Sequence, residues 1–244
     1  MVSRLASVEA VMKKLKEKAS PSNLEGMHRY GITVSHRLGV SIPDMRKIAK
    51  EIGKDHLLAL ELWKKGLSET QILAAMVDEP EKVTEKQMDD WVKDFDSWDV
   101  CDQVCMNLFE KTPFAWSKIR EWSRREEEFV KRAAFALIAC LAWHNKQASD
   151  QDFTSLFPTV KFGASDERNY VKKAVNWALR NIGKRNLNLN MTAIELAWEI
   201  QQAGSKSARW IGSDALKELE SESVQRRLVK KGDEKNESVA QPKL

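Results

Sequence analysis

Apolar residues recur every three or four positions along most of the chain, the spacing of one face of an α-helix. Alternating runs typical of β-strands are missing from the sequence, and only six prolines and ten glycines interrupt the pattern. Ser41, Ser68 and Thr84 stand where helix N-caps are expected. The pattern predicts helices at residues 3–19, 22–30, 43–52, 55–65, 68–78, 84–95, 98–110, 113–123, 126–144, 150–161, 167–184, 190–203, 206–219 and 221–230.

Many short helices joined by short loops suggest antiparallel pairs stacked in a row, each about forty residues long, the length of a HEAT-type repeat. We therefore expect an all-α superhelical solenoid of HEAT-like helix pairs, with an irregular all-α globule as the alternative. One repeat domain is expected over residues 1–229. The polar segment 230–244 is expected to be a disordered tail.

Composition narrows the class of protein. The 244 residues are 42% hydrophobic and 31% charged, and no run of eighteen apolar residues predicts a membrane span. Cys101, Cys105 and Cys140 form neither a disulfide framework nor a metal-ligand pattern, so we expect an intracellular protein without metal or cofactor. It would be cytoplasmic in a prokaryote and nuclear in a eukaryote, and a monomer is the default for a solenoid with polar ends. The net charge of +4 points weakly to an anionic partner.

Nine tryptophans against two tyrosines is an unusual ratio. Trp63, Trp143 and Trp198 lie on strongly apolar helix faces, which predicts that they pack between helices. Two other tryptophans lie beside charged residues and are candidates for a functional site.

The first candidate lies in the helix predicted at residues 98–110. Trp98 and Asp102 share one stripe with Cys105 and Phe109. A carboxylate on such a stripe is either paired with a cation or used in a cleft, and the residues alone leave both readings open. Cys101 and Cys105 are expected to point toward the core.

The helix predicted at 126–144 is apolar nearly all round from Phe129 onward, which indicates a central helix. Arg132 interrupts this surface. A buried arginine needs a carboxylate or a phosphate, so a structural ion pair and a ligand contact both remain possible. Arg125 lies on the same stripe and is the alternative arginine.

The helix predicted at 167–184 carries the sharpest signal. Its core face is apolar, and roughly opposite lie Lys173, Trp177, Arg180 and Lys184, followed by Arg185. A tryptophan framed by cations suits a phosphate backbone with a group to stack on. The alternative is that Trp177 packs on a neighbouring helix and the cations form an ordinary solvated face.

The ordered set of segments resembles the AlkD-like family of DNA alkylation repair enzymes over about residues 23–219. Its carrying motifs are 39-GVSIPDMRKIAKEI-52, 60-LELWKKGLSETQILAAMV-77, 96-DSWDVCDQV-104, 128-EFVKRAAFALI-138, 171-VKKAVNWALRNIGKRN-186 and 207-SARWIGSDALKEL-219. The resemblance implies HEAT-like repeats with a concave basic face. It also implies a monofunctional glycosylase that removes 7-methylguanine and 3-methyladenine from duplex DNA.

The resemblance also implies roles for individual residues. Trp98, Asp102 and Trp177 would be catalytic, the carboxylate facing the oxocarbenium ion and the tryptophans the cationic groups. Arg132 and Arg180 match the family's two arginines and would clamp phosphates. The other DNA-binding residues, expected from the charge pattern alone, would be Lys173, Lys184 and Arg185, which would add non-specific attraction. Because an alkylated purine already carries a positive charge, no general acid is needed. Two other functions remain open, a DNA-binding module without catalysis and a helical scaffold for a protein partner.

Overall fold

A computed structural model describes residues 7–32 and 34–230, and all regular structure within these ranges is helical. The chain forms two compact units, divided between Trp116 and Ser117. The single-domain expectation for residues 1–229 stays a prediction. Almost all of the predicted tail 230–244 lies outside the described residues. No described helix has the length and apolar character needed to cross a bilayer.

The first unit consists of short helices that follow the predicted periodicity closely. The helices predicted at 84–95 and 98–110 each end in a short 3-10 turn instead of continuing as an α-helix. These turns are Val92–Asp94 and Phe109–Lys111. The α-helices are α1 (Val8–Glu17), α2 (Pro21–Arg29), α3 (Ile42–Ile52), α4 (His56–Trp63), α5 (Ser68–Val77), α6 (Glu85–Trp91) and α7 (Trp98–Asn107).

Helix α5 is the centre of the first unit. It packs against α3, α4 and α7, and nine of its ten residues are buried. One of them, Glu69, accepts backbone N–H bonds from Leu38, Gly39 and Val40 at 3.0, 2.8 and 3.2 Å. Gly39 has φ +78°, and a Cβ atom there would lie 2.2 Å from the Ser20 carbonyl oxygen. The turn before α3 therefore depends on this glycine.

The second unit is built around a long apolar helix. Helix α9 packs most extensively against α12, while α13 and α14 pack against each other and against α12. The helices are α8 (Ala115–Trp122), which spans the boundary, α9 (Glu128–His144), α10 (Asp150–Thr154), α11 (Phe157–Gly163), α12 (Asn169–Gly183), α13 (Leu187–Gln201) and α14 (Lys206–Leu219), and residues 222–230 are also helical.

Two local predictions are wrong. The helix predicted at 150–161 is split into α10 and α11, because Pro158 has no N–H to donate and its ring clashes with the carbonyl one turn earlier. Ser68 is not an N-cap: Leu67 holds that position, and Ser68 is the first residue of α5. The caps at Ser41 and Thr84 are confirmed, with side-chain oxygens that accept N–H bonds from Asp44 and Gln87.

The tryptophans divide into buried and exposed groups. Trp63 is buried as predicted and stacks on Trp91, with ring centroids 3.9 Å apart. Trp143 and Trp198 are 54% and 50% exposed, so the packing prediction is wrong for both. The apolar neighbours of these two residues along the chain face the core, whereas the indoles themselves face solvent.

Candidate functional site

Helix α7 places Trp98 and Asp102 one turn apart at its N-terminal end. Both side chains are half-buried. Cys101 and Cys105 are completely buried, which confirms that the cysteine face of the helix packs into the first unit. The Trp98 indole donates its Nε1–H to the Tyr30 carbonyl oxygen at 3.3 Å. The indole therefore has an anchor at the end of α2, and Asp102 lies on the partly solvated part of the same stripe.

A buried ion pair next to Trp98 was not foreseen from the sequence. Arg37 donates to both carboxylate oxygens of Asp99, at 2.7 and 2.6 Å. The side chains are only 2% and 14% exposed, and Ser97 Oγ donates to Asp99 at 2.6 Å. This two-pronged geometry is the strongest form of an arginine–carboxylate contact. It joins the turn held by Glu69 to the start of α7, and so fixes the helix that carries Asp102.

Arg132 lies inside the second unit. Its side chain belongs to α9, the residue is 5% exposed, and Nη1 donates to the Tyr170 carbonyl oxygen at 2.6 Å. That carbonyl belongs to the first turn of α12, so Arg132 helps to join the two central helices. The residues alone suggested a carboxylate or a phosphate as its partner, and this contact is to a backbone carbonyl. Its phosphate contact stays a prediction.

Helix α12 separates a core face from a polar face, as predicted. Val171, Ala174, Ala178 and Ile182 are among the fully buried residues, whereas Trp177 is half-buried. Lys173 is exposed on the first half of the helix. The tryptophan and this lysine are therefore partly accessible to a ligand.

The two other cations of this face are paired with acidic residues of α14. Glu218 accepts from Arg180 through one oxygen and from Lys184 Nζ through the other, the latter at 2.6 Å. Asp214 lies 3.4 Å from Arg180 and accepts from the buried Asn176 amide at 2.6 Å. Since 214 and 218 are one turn apart, as are 180 and 184, two helices present matching charges.

The acidic partner is held in its ionised form. Burial raises the pKa of Glu218, but the hydrogen bond from Lys184 and the charges of Arg180 and Lys184 outweigh it, so the pKa lies below its ordinary value. At neutral pH this carboxylate is a fixed competitor for any phosphate that approaches the two cations.

Arg185 has a structural environment. Its guanidinium donates to the carbonyl oxygens of Ala142, Asn145 and Ala148 at 2.8, 2.9 and 3.0 Å, and stacks over the Phe153 ring at 4.2 Å. Burial lowers the pKa of this arginine. The side chain secures the turn between α9 and α10, and its contact with DNA stays a prediction.

The second unit contains a large groove beside α12. Its cavity volume is about 1310 Å³. The polar face of α12 supplies Trp177, Asn181 and Lys184, the end of α9 supplies Trp143, and Lys146 and Arg227 also line the groove. Of the predicted site residues, the structure thus brings Trp177, Lys184 and Arg185 to one groove, while Trp98 and Asp102 share a helix in the first unit. Among the described residues no group of three or more His, Cys, Asp or Glu side chains could hold a metal ion.

Comparisons with known proteins match this chain to a DNA repair family and to a HEAT-like repeat structure. A family described as DNA alkylation repair enzyme matches residues 11–219. A search of curated proteins found no significant match. A solved structure described as a new family of proteins related to the HEAT-like repeat DNA glycosylases, with affinity for branched DNA structures, has a TM-score of 0.72 at 18% identity, covering 86% of this chain and 94% of that one.

Two further solved structures are less similar. An engineered protein has a TM-score of 0.43 at 12% identity, covering 88% of this chain and 98% of its own. A designed armadillo repeat protein in complex with a basic peptide has a TM-score of 0.38 at 13% identity, covering 86% and 92%. The likeness at 0.72 confirms the HEAT-like all-α fold.

Proposed function

Because the chain belongs to the DNA alkylation repair enzyme family, we propose that it is a DNA glycosylase that hydrolyses the N-glycosidic bond of cationic alkylated purines, such as 7-methylguanine and 3-methyladenine, in duplex DNA. The observation that carries the proposal is the pair Trp98 and Asp102 on α7. These two residues are partly exposed, while the cysteines between and after them are buried.

The chemistry requires little beyond a well-placed negative charge. A purine alkylated at N7 or N3 is cationic and leaves as a neutral base, so the leaving group needs no proton. Positive charge then develops on the sugar. Asp102 would stabilise this oxocarbenium ion and orient the water that attacks it. The rigid connection from Glu69 through Arg37 and Asp99 to the first turn of α7 would hold the carboxylate in place.

The tryptophans would favour charged lesions over normal bases. An indole face attracts a cationic group by about 0.5–2 kcal/mol. Trp98 is oriented by its hydrogen bond to the Tyr30 carbonyl, which reduces the entropy lost when a ligand packs against it. Trp177 is assigned the same role by family resemblance, and its half-buried position on the polar face of α12 is compatible with it.

The phosphate backbone would be held by the cations of α12. Lys173 is exposed, whereas Arg180 and Lys184 must exchange Glu218 for a phosphate. Binding by exchange gains less free energy than binding by free cations, because each displaced carboxylate takes up a cation from the salt. We therefore expect modest affinity and a shallower salt dependence than free cations would give.

The proposal is tested by base release from a duplex that contains one 7-methylguanine. Wild-type protein should release the base, and Asp102→Asn should lose at least about a hundredfold in rate, the cost typical of removing one electrostatic stabiliser. Asp96→Asn is the matched control, because it removes an equal charge from an exposed position just before the same helix. Release by Asp102→Asn at the wild-type rate would refute the catalytic assignment.

A second function is a DNA-binding module without catalysis. It is favoured by the fold neighbour described as having affinity for branched DNA structures. It would give salt-sensitive binding, reduced by Lys173→Ala, with no free base from any alkylated duplex. The same assay therefore separates the two functions, provided that binding is measured in parallel.

A further inference from the structure

We propose that the groove beside α12 binds unpaired nucleotides of a DNA strand that leaves the duplex, with Trp143 as the surface on which a base stacks. This inference goes beyond glycosidic bond cleavage. It requires that DNA is the ligand, but it does not require catalysis.

The position of Trp143 is the first observation. It follows thirteen buried residues of α9, yet it is 54% exposed and lies in the wall of the groove. An indole that is half exposed contributes less hydrophobic stabilisation than one packed fully against the apolar core of this helix. The neighbouring His144 ring stacks on it, with centroids 4.6 Å apart and planes 25° apart. The stacking orients the indole, and its exposed part is accessible to a ligand.

The charge of the groove is the second observation. Its wall carries the cations Lys146, Lys184, Arg185 and Arg227 against one acidic residue, Asp150. That carboxylate already accepts from the amides of Asn186 and Asn188, at 2.7 and 2.9 Å. Arg227 is exposed on the helix at residues 222–230. Lys184 is paired with Glu218, and Arg185 is bound to three backbone carbonyls, so the accessible positive charge is that of Lys146 and Arg227, which are both exposed. Two accessible cations beside an aromatic surface are a combination that holds a single strand without reading its sequence.

The size of the groove favours an extended occupant over a single small ligand or a single base. At about 1310 Å³ it exceeds the roughly 300–1,000 Å³ of pockets that enclose one small ligand. A flipped base is held in a close-fitting pocket, which an open groove of this volume is not. Trp177 and Trp143 lie in the same groove, so several linked nucleotides are the fitting occupant.

The test compares the affinity of the full chain for a blunt duplex and for the same duplex with a single-stranded overhang. Wild-type protein should bind the overhang substrate more tightly, by about five- to 150-fold, as expected for one stacked base. In Trp143→Ala this ratio should fall toward one. Trp198→Ala is the matched control, since it removes an equally exposed tryptophan from α13 that does not line the groove, and it should keep the wild-type ratio.

Two readouts make the result specific. A 2-aminopurine in the overhang should be quenched by wild type and by Trp198→Ala but not by Trp143→Ala. Arg227→Ala should reduce the salt dependence of overhang binding by about one unit of slope. Equal wild-type affinity for both substrates, or an unchanged ratio in Trp143→Ala, would overturn the proposal and leave the groove to another class of partner.

This outcome is independent of the glycosylase proposal. Asp102→Asn should keep the preference for the overhang, because its helix contributes nothing to the groove. If wild type prefers the overhang but releases no base, the glycosylase proposal fails and the groove proposal stands. If wild type releases base but does not prefer the overhang, the groove proposal fails and the glycosylase proposal stands.

Discussion

Replacing Glu218 by glutamine should strengthen DNA binding. In the folded chain its carboxylate binds Arg180, which the family resemblance assigns to a phosphate contact, and Lys184, which the charge pattern adds. Glutamine keeps the size of the side chain and removes the charge. The two cations would then remain near one acidic residue, Asp214, instead of two.

The magnitude follows from the local charges. Arg180 and Lys184 together carry +2, and Asp214 and Glu218 carry −2, so the cluster is neutral and becomes +1 in the variant. Two unit charges 4 Å apart interact by about 1 kcal/mol in water and about 4 at an effective dielectric constant of 20. Because these groups are partly solvated, about 1–2 kcal/mol of competition is removed, or about five- to thirtyfold in affinity at low salt.

The assay is fluorescence anisotropy of a labelled duplex, titrated with each protein between about 50 and 200 mM salt. Glu218→Gln should bind more tightly than wild type, and its slope of log affinity against log salt should be steeper by about one unit, because the cluster gains one net positive charge. Glu220→Gln changes the net charge equally at an exposed residue two positions further along. If both variants bind alike, Glu218 does not restrain the cations, and the reasoning is refuted.

Three stability predictions follow from buried contacts. Gly39→Ala should lower the melting temperature by several degrees more than Gly53→Ala, because both glycines have positive φ but only Gly39 has a carbonyl in the way. Arg37→Met should cost about 3–5 kcal/mol in urea unfolding by leaving Asp99 buried without its cation, and a loss below about 1 kcal/mol would contradict this. The pKa of Glu218 is lower in the folded chain than its ordinary 4.5, so its ionised carboxylate stabilises the fold above that pH, and this stabilisation is lost as the pH falls through the folded pKa. In Glu218→Gln, the free energy of unfolding should therefore fall less steeply with decreasing pH in this range than in wild type.

Helix positions could be predicted from the sequence because the apolar period is a local property. The period locates α12 and its buried face, and residues such as Val171 and Ile182 have the burial that it implies. It could not separate α10 from α11, since the apolar spacing continues across Pro158 and only the missing N–H interrupts the helix. The period also could not show that Trp143 faces solvent, because exposure at the end of α9 depends on whether another helix packs against it, which is not a local property of the sequence.

The candidate site was only partly predictable, for a different physical reason. The stripe that carries Trp98 and Asp102 is a short-range pattern. The contacts that hold the site are not: Arg37 and Asp99 are 62 residues apart, and Arg180 and Glu218 are 38 apart. Nothing in the residues near either cation indicates which distant carboxylate it meets.

These long-range pairs change what a count of basic residues means. Seven basic residues against two acidic ones between positions 161 and 185 suggest a strongly cationic surface. In the fold, Arg185 is bound to three carbonyls, and Asp214 and Glu218 together neutralise Arg180 and Lys184, whereas Lys173 is exposed on α12. On this face of α12, attraction to DNA would then come from Lys173 and from exchange of the acidic partners of Arg180 and Lys184 for phosphates. We expect such a surface to bind undamaged duplex weakly, so that discrimination in favour of a charged lesion would depend on the indoles and on Asp102 rather than on the phosphate contacts.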